Sequence, residues 1–138
     1  MKTGSTIDAM PLRVLLMLGS NVDAERQLDA ALAQLRERFD VLAVSARHQS
    51  PAMGRTGAPA YLNQATVIAT DLDQAALKTA LRDIEALLGR QRPNPEPQLC
   101  PIDIDALGRW EPEFVVWDAR DCSAAHARAP LRDLGISE

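Results

Sequence analysis

Cysteine and long apolar runs are both scarce in this chain. Among its 138 residues there are two cysteines, Cys100 and Cys122, and their spacing matches neither a metal site nor a disulfide framework. No apolar stretch is long enough to span a membrane. The short run Val14–Leu18 follows Arg13 directly and precedes no small-residue cleavage site, which argues against a signal peptide. We therefore expect reduced thiols, a cytoplasmic protein and no membrane partner.

An excess of positive charge is also absent. Fifteen Lys and Arg residues against nineteen Asp and Glu residues give a net charge of −4, which argues against general nucleic-acid binding. A small phosphate ligand is still compatible with this total, because local charge can oppose the net charge. A hydrophobic content of 46% with 25% charged residues predicts a globular chain. We expect a flexible leader over residues 1–10 and a single domain over residues 11–138.

The order of elements follows from the hydrophobic periodicity. Strands are predicted over residues 12–20, 41–50, 62–70, from 103 onward and over 113–119, and helices over 21–39 and 71–90. Asn21 or Asp23 is expected to cap the first helix, and Gly89 to end the second. Four prolines make residues 91–101 an exposed loop, and the tail from residue 120 is expected to be partly helical. The order β-α-β-β-α-β predicts an α+β, ferredoxin-like sheet with helices on one face, plus an extra short strand.

Two aspartates in the stretch "CPIDIDALGRW" are the clearest sign of chemistry. Asp103 and Asp105 alternate with apolar residues, so a strand would place both carboxylates on one face. At about 7 Å their mutual repulsion would cost about 2 kcal/mol at an effective dielectric of 20. A Mg²⁺ ion would remove that cost and would suit hard oxygen ligands. The alternative is a solvated strand face, which the rarity of Asp in strands disfavours.

Two polar stretches could add ligand contacts. "LGSN" (residues 18–21) ends a predicted strand and begins a helix, where backbone N–H groups can bind an anion or the polar edge of a ring. Tyr61 could stack on a flat heterocycle, and Asn63 could donate to and accept from its edge. Taken alone, an ordinary strand-to-helix turn and a core tyrosine explain these residues better than a ligand does.

The end of the second predicted helix carries a cluster of charge. Glu85, Arg90 and Arg92 lie in "IEALLGRQR", directly before the proline-rich loop. Arginines on such a loop, facing an aspartate pair, would suit a polyphosphate. The alternative is solvated charge at a helix end, where Arg90 would favour the C-terminal dipole.

Taken together, these stretches carry a resemblance to a known family. "LGSN", "SPAMG" followed by "YLN", "IEALLGRQR" and "IDIDAL" occur in the order found in 6-hydroxymethyl-7,8-dihydropterin pyrophosphokinases. The resemblance runs from about Val14 to Leu107. It implies a ferredoxin-like fold and the transfer of pyrophosphate from ATP to the hydroxymethyl pterin, with release of AMP, in folate biosynthesis.

The resemblance also assigns roles to matching positions. The catalytic residues would be Arg90, Arg92, Asp103 and Asp105, and the two aspartates would hold two Mg²⁺ ions with ATP. The pterin would contact Ser50, Pro51, Met53, Tyr61 and Asn63. The nucleotide would contact Glu85, Arg92, His126 and Arg132. Beyond ATP and the pterin we expect no partner except, at most, a weak homodimer.

The chain departs from the family pattern in its loop and tail. Pro97 and Cys100 stand where the family usually has a tryptophan and an arginine, so a charge that stabilises the transferred phosphate is missing. Ala125 and Leu134 replace a proline and an aromatic residue in the tail, which is shorter than usual in the family. Two alternatives follow: a weakened or inactive paralogue that binds pterin or nucleotide, and an interaction domain with no ligand at this site.

Overall fold

Nine elements make up the part of the chain that the computed structural model describes, residues 12–51, 58–117 and 125–135. In chain order they are β1 (Leu12–Ser20), α1 (Ala24–Arg38), β2 (Asp40–Val44), β3 (His48–Ser50), β4 (Tyr61–Thr70), α2 (Gln74–Leu87), β5 (Asp103–Trp110), β6 (Phe114–Val116) and α3 (Ala125–Asp133). The predicted leader lies outside the described residues. No helix in these ranges combines the length and the hydropathy that a membrane span requires.

All six strands belong to one antiparallel sheet. Its order is β2-β4-β1-β5-β6, with β3 also pairing with β4, so the predicted α+β fold is confirmed. The predicted strand over residues 41–50 is two strands, both paired with β4. They separate where the Ser45 hydroxyl accepts from the Ala65 N–H at 2.9 Å.

The central strand β1 is buried on both faces, which explains its nearly continuous apolar sequence. Val14, Leu16 and Leu18 pack with the apolar residues of α1 and α2. Leu15 and Met17 point to the opposite face and pack in a second cluster. That cluster includes Leu131 of α3, so the helical tail packs on the face that α1 and α2 leave open.

The ends of the helices only partly follow the expected capping. Asp23 occupies the N-cap of α1, but its side chain makes no capping hydrogen bond and instead accepts from Arg26 Nε at 2.7 Å. Gly89 follows the last turn of α2 with a positive φ of 102° and donates its N–H to Ala86 O at 3.1 Å. The next N–H, that of Arg90, donates to Glu85 O at 3.0 Å. This Schellman arrangement confirms the predicted stop and brings Arg90 back toward the sheet.

Candidate active site

A pocket of about 200 Å³ opens on the sheet face opposite α1 and α2. It is lined by Met17, Gly19, Ser50, Pro51, Tyr61, Asn63, Asp103 and Asp105. Strand register explains the grouping, because Gly19 of β1 pairs with Asn63 on one side and with Asp103 on the other. At about 4.8 Å between strands, Asn63 and Asp103 lie about 10 Å apart across β1. The fold thus brings residues from four separate sequence stretches into one cavity.

Both aspartates of β5 face this pocket. Ile102, which precedes Asp103, and Ile104, which lies between the two aspartates, are buried against the helices on the other face. This is the alternation that a strand requires. Arg90 Nη1 donates to Asp103 Oδ1 at 2.7 Å and to Ile102 O at 3.1 Å. Burial alone would lower the pKa of Arg90, but the hydrogen bond to Asp103 and the nearby negative charges raise it. A permanent positive charge therefore offsets part of the negative charge at Asp103.

A buried carboxylate supports this arrangement from behind. Glu85 of α2 is 3% exposed. Its Oε2 accepts from Ile104 N–H at 2.8 Å, and its Oε1 accepts from Arg92 Nη2 at 2.7 Å. A longer contact of 3.4 Å joins Glu85 to Arg90. The interpretation of these residues as solvated charge at a helix end is therefore wrong for Glu85, which connects α2 to β5 and both arginines.

The opposite wall of the pocket contains a fixed amide. Asn63 is 2% exposed, and its Nδ2 donates to Ser50 Oγ at 2.7 Å and to His48 O at 3.3 Å. Gly19 lies against it: a Cβ at this position would be 3.1 Å from Asn63 Oδ1 and 3.6 Å from the Tyr61 ring. Glycine at this position therefore allows Asn63 and Tyr61 to approach β1 closely.

Asn21, the last residue of "LGSN", anchors the proline-rich loop. Its Oδ1 accepts from Cys100 N–H at 2.6 Å, and its Nδ2 donates to Gln98 O at 2.8 Å and to Pro59 O at 3.3 Å. The Asn21 N–H donates to Cys100 O at 3.1 Å. The sequence pattern of this stretch did not predict that role. Asn21 was expected at most to cap α1, and the structure assigns the N-cap to Asp23 instead.

Cys100 lies at the end of this anchored loop. It is 8% exposed, and a side-chain hydrogen bond joins its thiol to Tyr61. Burial raises the pKa of the Cys100 thiol, although the charge of Arg90 acts in the opposite direction. The thiol of Cys100 is therefore neutral and enclosed at neutral pH.

This environment predicts slow thiol chemistry. In a Cys122→Ser background, Cys100 should react with iodoacetamide at pH 7.5 at least about tenfold more slowly than a free thiol, because the thiolate is the reacting form. The rate is measured by mass spectrometry over time, with glutathione as the reference. Unfolding in urea should restore the reference rate. A folded protein that reacts as fast as glutathione would contradict the buried position of Cys100.

For the remaining predicted site residues, the structure describes only part of their positions. Met53 lies outside the described residues. His126 and Arg132 both belong to α3, where Arg132 is exposed and the side chain of His126 is outside the described part. The next residue, Asp133, makes a contact that the sequence did not predict: its Oδ2 lies 2.8 Å from His48 Nε2 and accepts from Ala46 N–H at 3.1 Å.

Asp103 and Asp105 alone are too few ligands for a metal ion, but they could bind one together with a phosphate-bearing substrate. Within the described ranges, no group of three or more His, Cys, Asp or Glu side chains is arranged to hold a metal. Asp103 and Asp105 supply two carboxylates on one pocket wall. Mg²⁺ commonly binds through one or two carboxylates, with the remaining ligands coming from waters and phosphates. The pair therefore fits Mg²⁺ that arrives with a phosphate ligand.

Comparison with solved structures identifies the fold. The chain is similar to a crystal structure of Plasmodium falciparum HPPK-DHPS with pteroate, with a TM-score of 0.59 and 12% identity over 80% of this chain and 30% of that one. An unknown protein from Galdieria sulphuraria matches with 17% identity over 83% of this chain and 55% of that one. Its TM-score of 0.45 is too low to support an inference. The chain thus spans less than two thirds of either protein.

Sequence comparison goes further than the fold. No curated protein sequence matches the chain. The family model for 7,8-dihydro-6-hydroxymethylpterin-pyrophosphokinase, however, matches residues 15–134. The match runs from β1 to the end of α3 and includes every described residue of the pocket wall. The chain therefore belongs to the 7,8-dihydro-6-hydroxymethylpterin-pyrophosphokinase family.

Proposed function

We propose that this chain transfers the pyrophosphoryl group of ATP to the hydroxymethyl oxygen of 6-hydroxymethyl-7,8-dihydropterin, releasing AMP, as a step of folate biosynthesis. The observation that carries the proposal is the composition of one pocket. It holds an aspartate pair on one wall and a fixed amide beside an aromatic ring on the other. A polyphosphate and a flat polar heterocycle are the ligands that these two walls suit.

The pterin would occupy the wall formed by β3 and β4. The Asn63 amide is already oriented by Ser50 and His48, so binding would cost little side-chain entropy. Tyr61 provides an aromatic face and Ser50 a hydroxyl at the same wall. Pro51 lies exposed at the rim, and Met53 is assigned to this half by the resemblance alone.

The phosphates would lie against β5. Asp103 and Asp105 would hold Mg²⁺, two ions in our proposal, and bound Mg²⁺ would neutralise phosphate charge and orient the reacting oxygens. Arg90 keeps the Asp103 carboxylate in place through Oδ1. Arg92 has a side chain that is 46% exposed and would contact the phosphates. The nucleotide contacts proposed for His126 and Arg132 rest on the family resemblance.

The direct test is product formation. Purified chain is incubated with MgCl₂, ATP and the hydroxymethyl dihydropterin, and AMP is measured by chromatography. We expect AMP to appear only when all three are present. At millimolar substrates, AMP no higher than in the control without pterin would refute the proposal.

A second candidate, a binding module without turnover, is favoured by one observation. Position 100, near Asp103, holds an enclosed and uncharged cysteine. By the family resemblance, an arginine would be expected at this position. Loss of such a charge can slow phosphoryl transfer by about 10³–10⁵-fold while leaving ligand binding in place. Calorimetry that shows pterin binding, with no AMP released, would establish this candidate instead.

The close approach at Gly19 yields a further prediction. Gly19→Ala would place a methyl group 3.1 Å from Asn63 Oδ1 and displace the amide, so we expect KM for the pterin to rise about tenfold. KM for ATP should stay within twofold and is the internal control. Gly19→Ser should have a larger effect than Gly19→Ala. An unchanged KM for the pterin in both variants would show that Asn63 does not contact it.

A further inference from the structure

The segment between β2 and β3 is attached to the C-terminal helix. Asp133 of α3 accepts from Ala46 N–H at 3.1 Å, and the same oxygen lies 2.8 Å from His48 Nε2. The hydrogen bond from His48 lowers the pKa of Asp133, so this carboxylate is ionised at neutral pH. It is therefore a strong acceptor for both donors.

The same segment is held from the other face of the sheet by α1. Arg47, between Ala46 and His48, donates from Nη1 to Glu25 Oε1 at 2.6 Å and from Nη2 to Asp29 Oδ1 at 2.7 Å. Its Nε donates to Gln64 Oε1 at 3.1 Å. Because neighbouring side chains alternate between the two faces, α1 and α3 fix this short segment from opposite sides.

The attachment point is coupled to the pocket through one residue. His48 pairs with Asn63 across β3 and β4, and Asn63 Nδ2 donates to His48 O as well as to Ser50 Oγ. A shift of β3 would therefore move two of the groups that orient the Asn63 amide. Asp133 itself lies outside the pocket lining.

We propose that Asp133 is a positioning residue for the pterin half of the site, which it holds in register by fixing Ala46 and His48. This inference rests on the proposed function, since it concerns the same pocket. It predicts a difference between the two halves: the Asn63 amide depends on the Asp133 carboxylate through His48, whereas the aspartate pair depends on α2 through Glu85 and Arg90. Loss of the Asp133 carboxylate should therefore weaken binding of one substrate and leave the other unaffected.

The test compares two substitutions at one position. Asp133→Ala removes the acceptor, whereas Asp133→Asn retains an oxygen that can accept from Ala46 N–H and His48. Calorimetry should show pterin binding about tenfold weaker for Asp133→Ala and within threefold of wild type for Asp133→Asn, in line with other residues that orient a binding group. The dissociation constant for ATP with Mg²⁺ should change less than twofold in both. Asp83→Ala, an exposed aspartate of α2, is the matched control, and thermal unfolding verifies that each variant is folded.

Two results would overturn the inference: pterin affinity of Asp133→Ala within twofold of wild type, or an equal loss of affinity for ATP. Failure of the proposed function looks different, because the wild-type chain itself would then bind no pterin. In that case, hydrogen exchange of the Asn63 side-chain amide, followed by NMR, decides the positioning role. Faster exchange in Asp133→Ala than in Asp133→Asn supports it, and equal exchange rejects it.

Discussion

Replacing Asp103 or Asp105 with asparagine is expected to lower the rate of AMP release by about a thousandfold. Each substitution removes one negative charge from the pocket wall that we propose holds Mg²⁺ and the ATP phosphates, while the shape of the side chain is kept. The measurement is the initial rate of AMP formation at saturating substrates, repeated over a range of MgCl₂ concentrations. Because a ligand is lost, raising the MgCl₂ concentration should restore little of the rate.

Asparagine is chosen so that a lower rate of AMP release does not simply reflect a less stable protein. An asparagine oxygen at position 103 can still accept from Arg90 Nη1, which lies 2.7 Å from Asp103 Oδ1 in the native protein. Asp83→Asn, on the exposed side of α2, should retain the full rate. A rate within tenfold of wild type for either pocket variant would rule out the proposed role of that aspartate.

Replacing Glu85 with alanine is expected to lower the free energy of unfolding by about 3 kcal/mol. The substitution leaves Ile104 N–H without its acceptor in a buried position, which alone costs about 1–3 kcal/mol. It also removes the carboxylate that lies 2.7 Å from Arg92 Nη2 and 3.4 Å from Arg90 Nη1. Urea denaturation followed by circular dichroism measures the change.

Glu85→Gln separates the two contributions. Glutamine retains an oxygen for Ile104 N–H but carries no charge for the arginines, so its effect should lie between those of wild type and Glu85→Ala. Asp83→Ala on the same helix should shift stability by less than about 0.5 kcal/mol, as is usual for exposed positions. An unfolding free energy for Glu85→Ala within about 1 kcal/mol of wild type would mean that water replaces the carboxylate at Ile104.

The main features of the fold follow from local patterns. The continuous apolar run of β1, the helical spacing in α1 and α2 and the alternation in β5 each report how a segment is buried. Once the sheet order is known, register places Gly19 between Asn63 and Asp103. Residues far apart in the sequence can therefore be assigned to one pocket from the order of the strands and the spacing along each of them.

The contacts that fix the site follow no such pattern. The Glu85 carboxylate meets Ile104 N–H 19 residues later, and Asn21 meets Cys100 79 residues later. Each is a single polar pair whose partner depends on how two elements pack, so periodicity contains no signal for it. The division of the predicted second strand was missed for a related reason: the Ser45 hydroxyl takes the place of a backbone acceptor for Ala65 N–H.

The attachment of α3 to β3 has a consequence for the order in which the molecule assembles. Asp133 is separated from Ala46 by 87 residues and from His48 by 85, and contacts of such long range form late because closing the loop costs chain entropy. On a ribosome, β1 can pair with β4 and α1 can pack on both strands while α3 is still being synthesised. With Asp133 in the positioning role proposed above, the wall that carries Asn63 would reach its final position only after residue 133 has emerged, and the pocket would be among the last features of the fold to be completed.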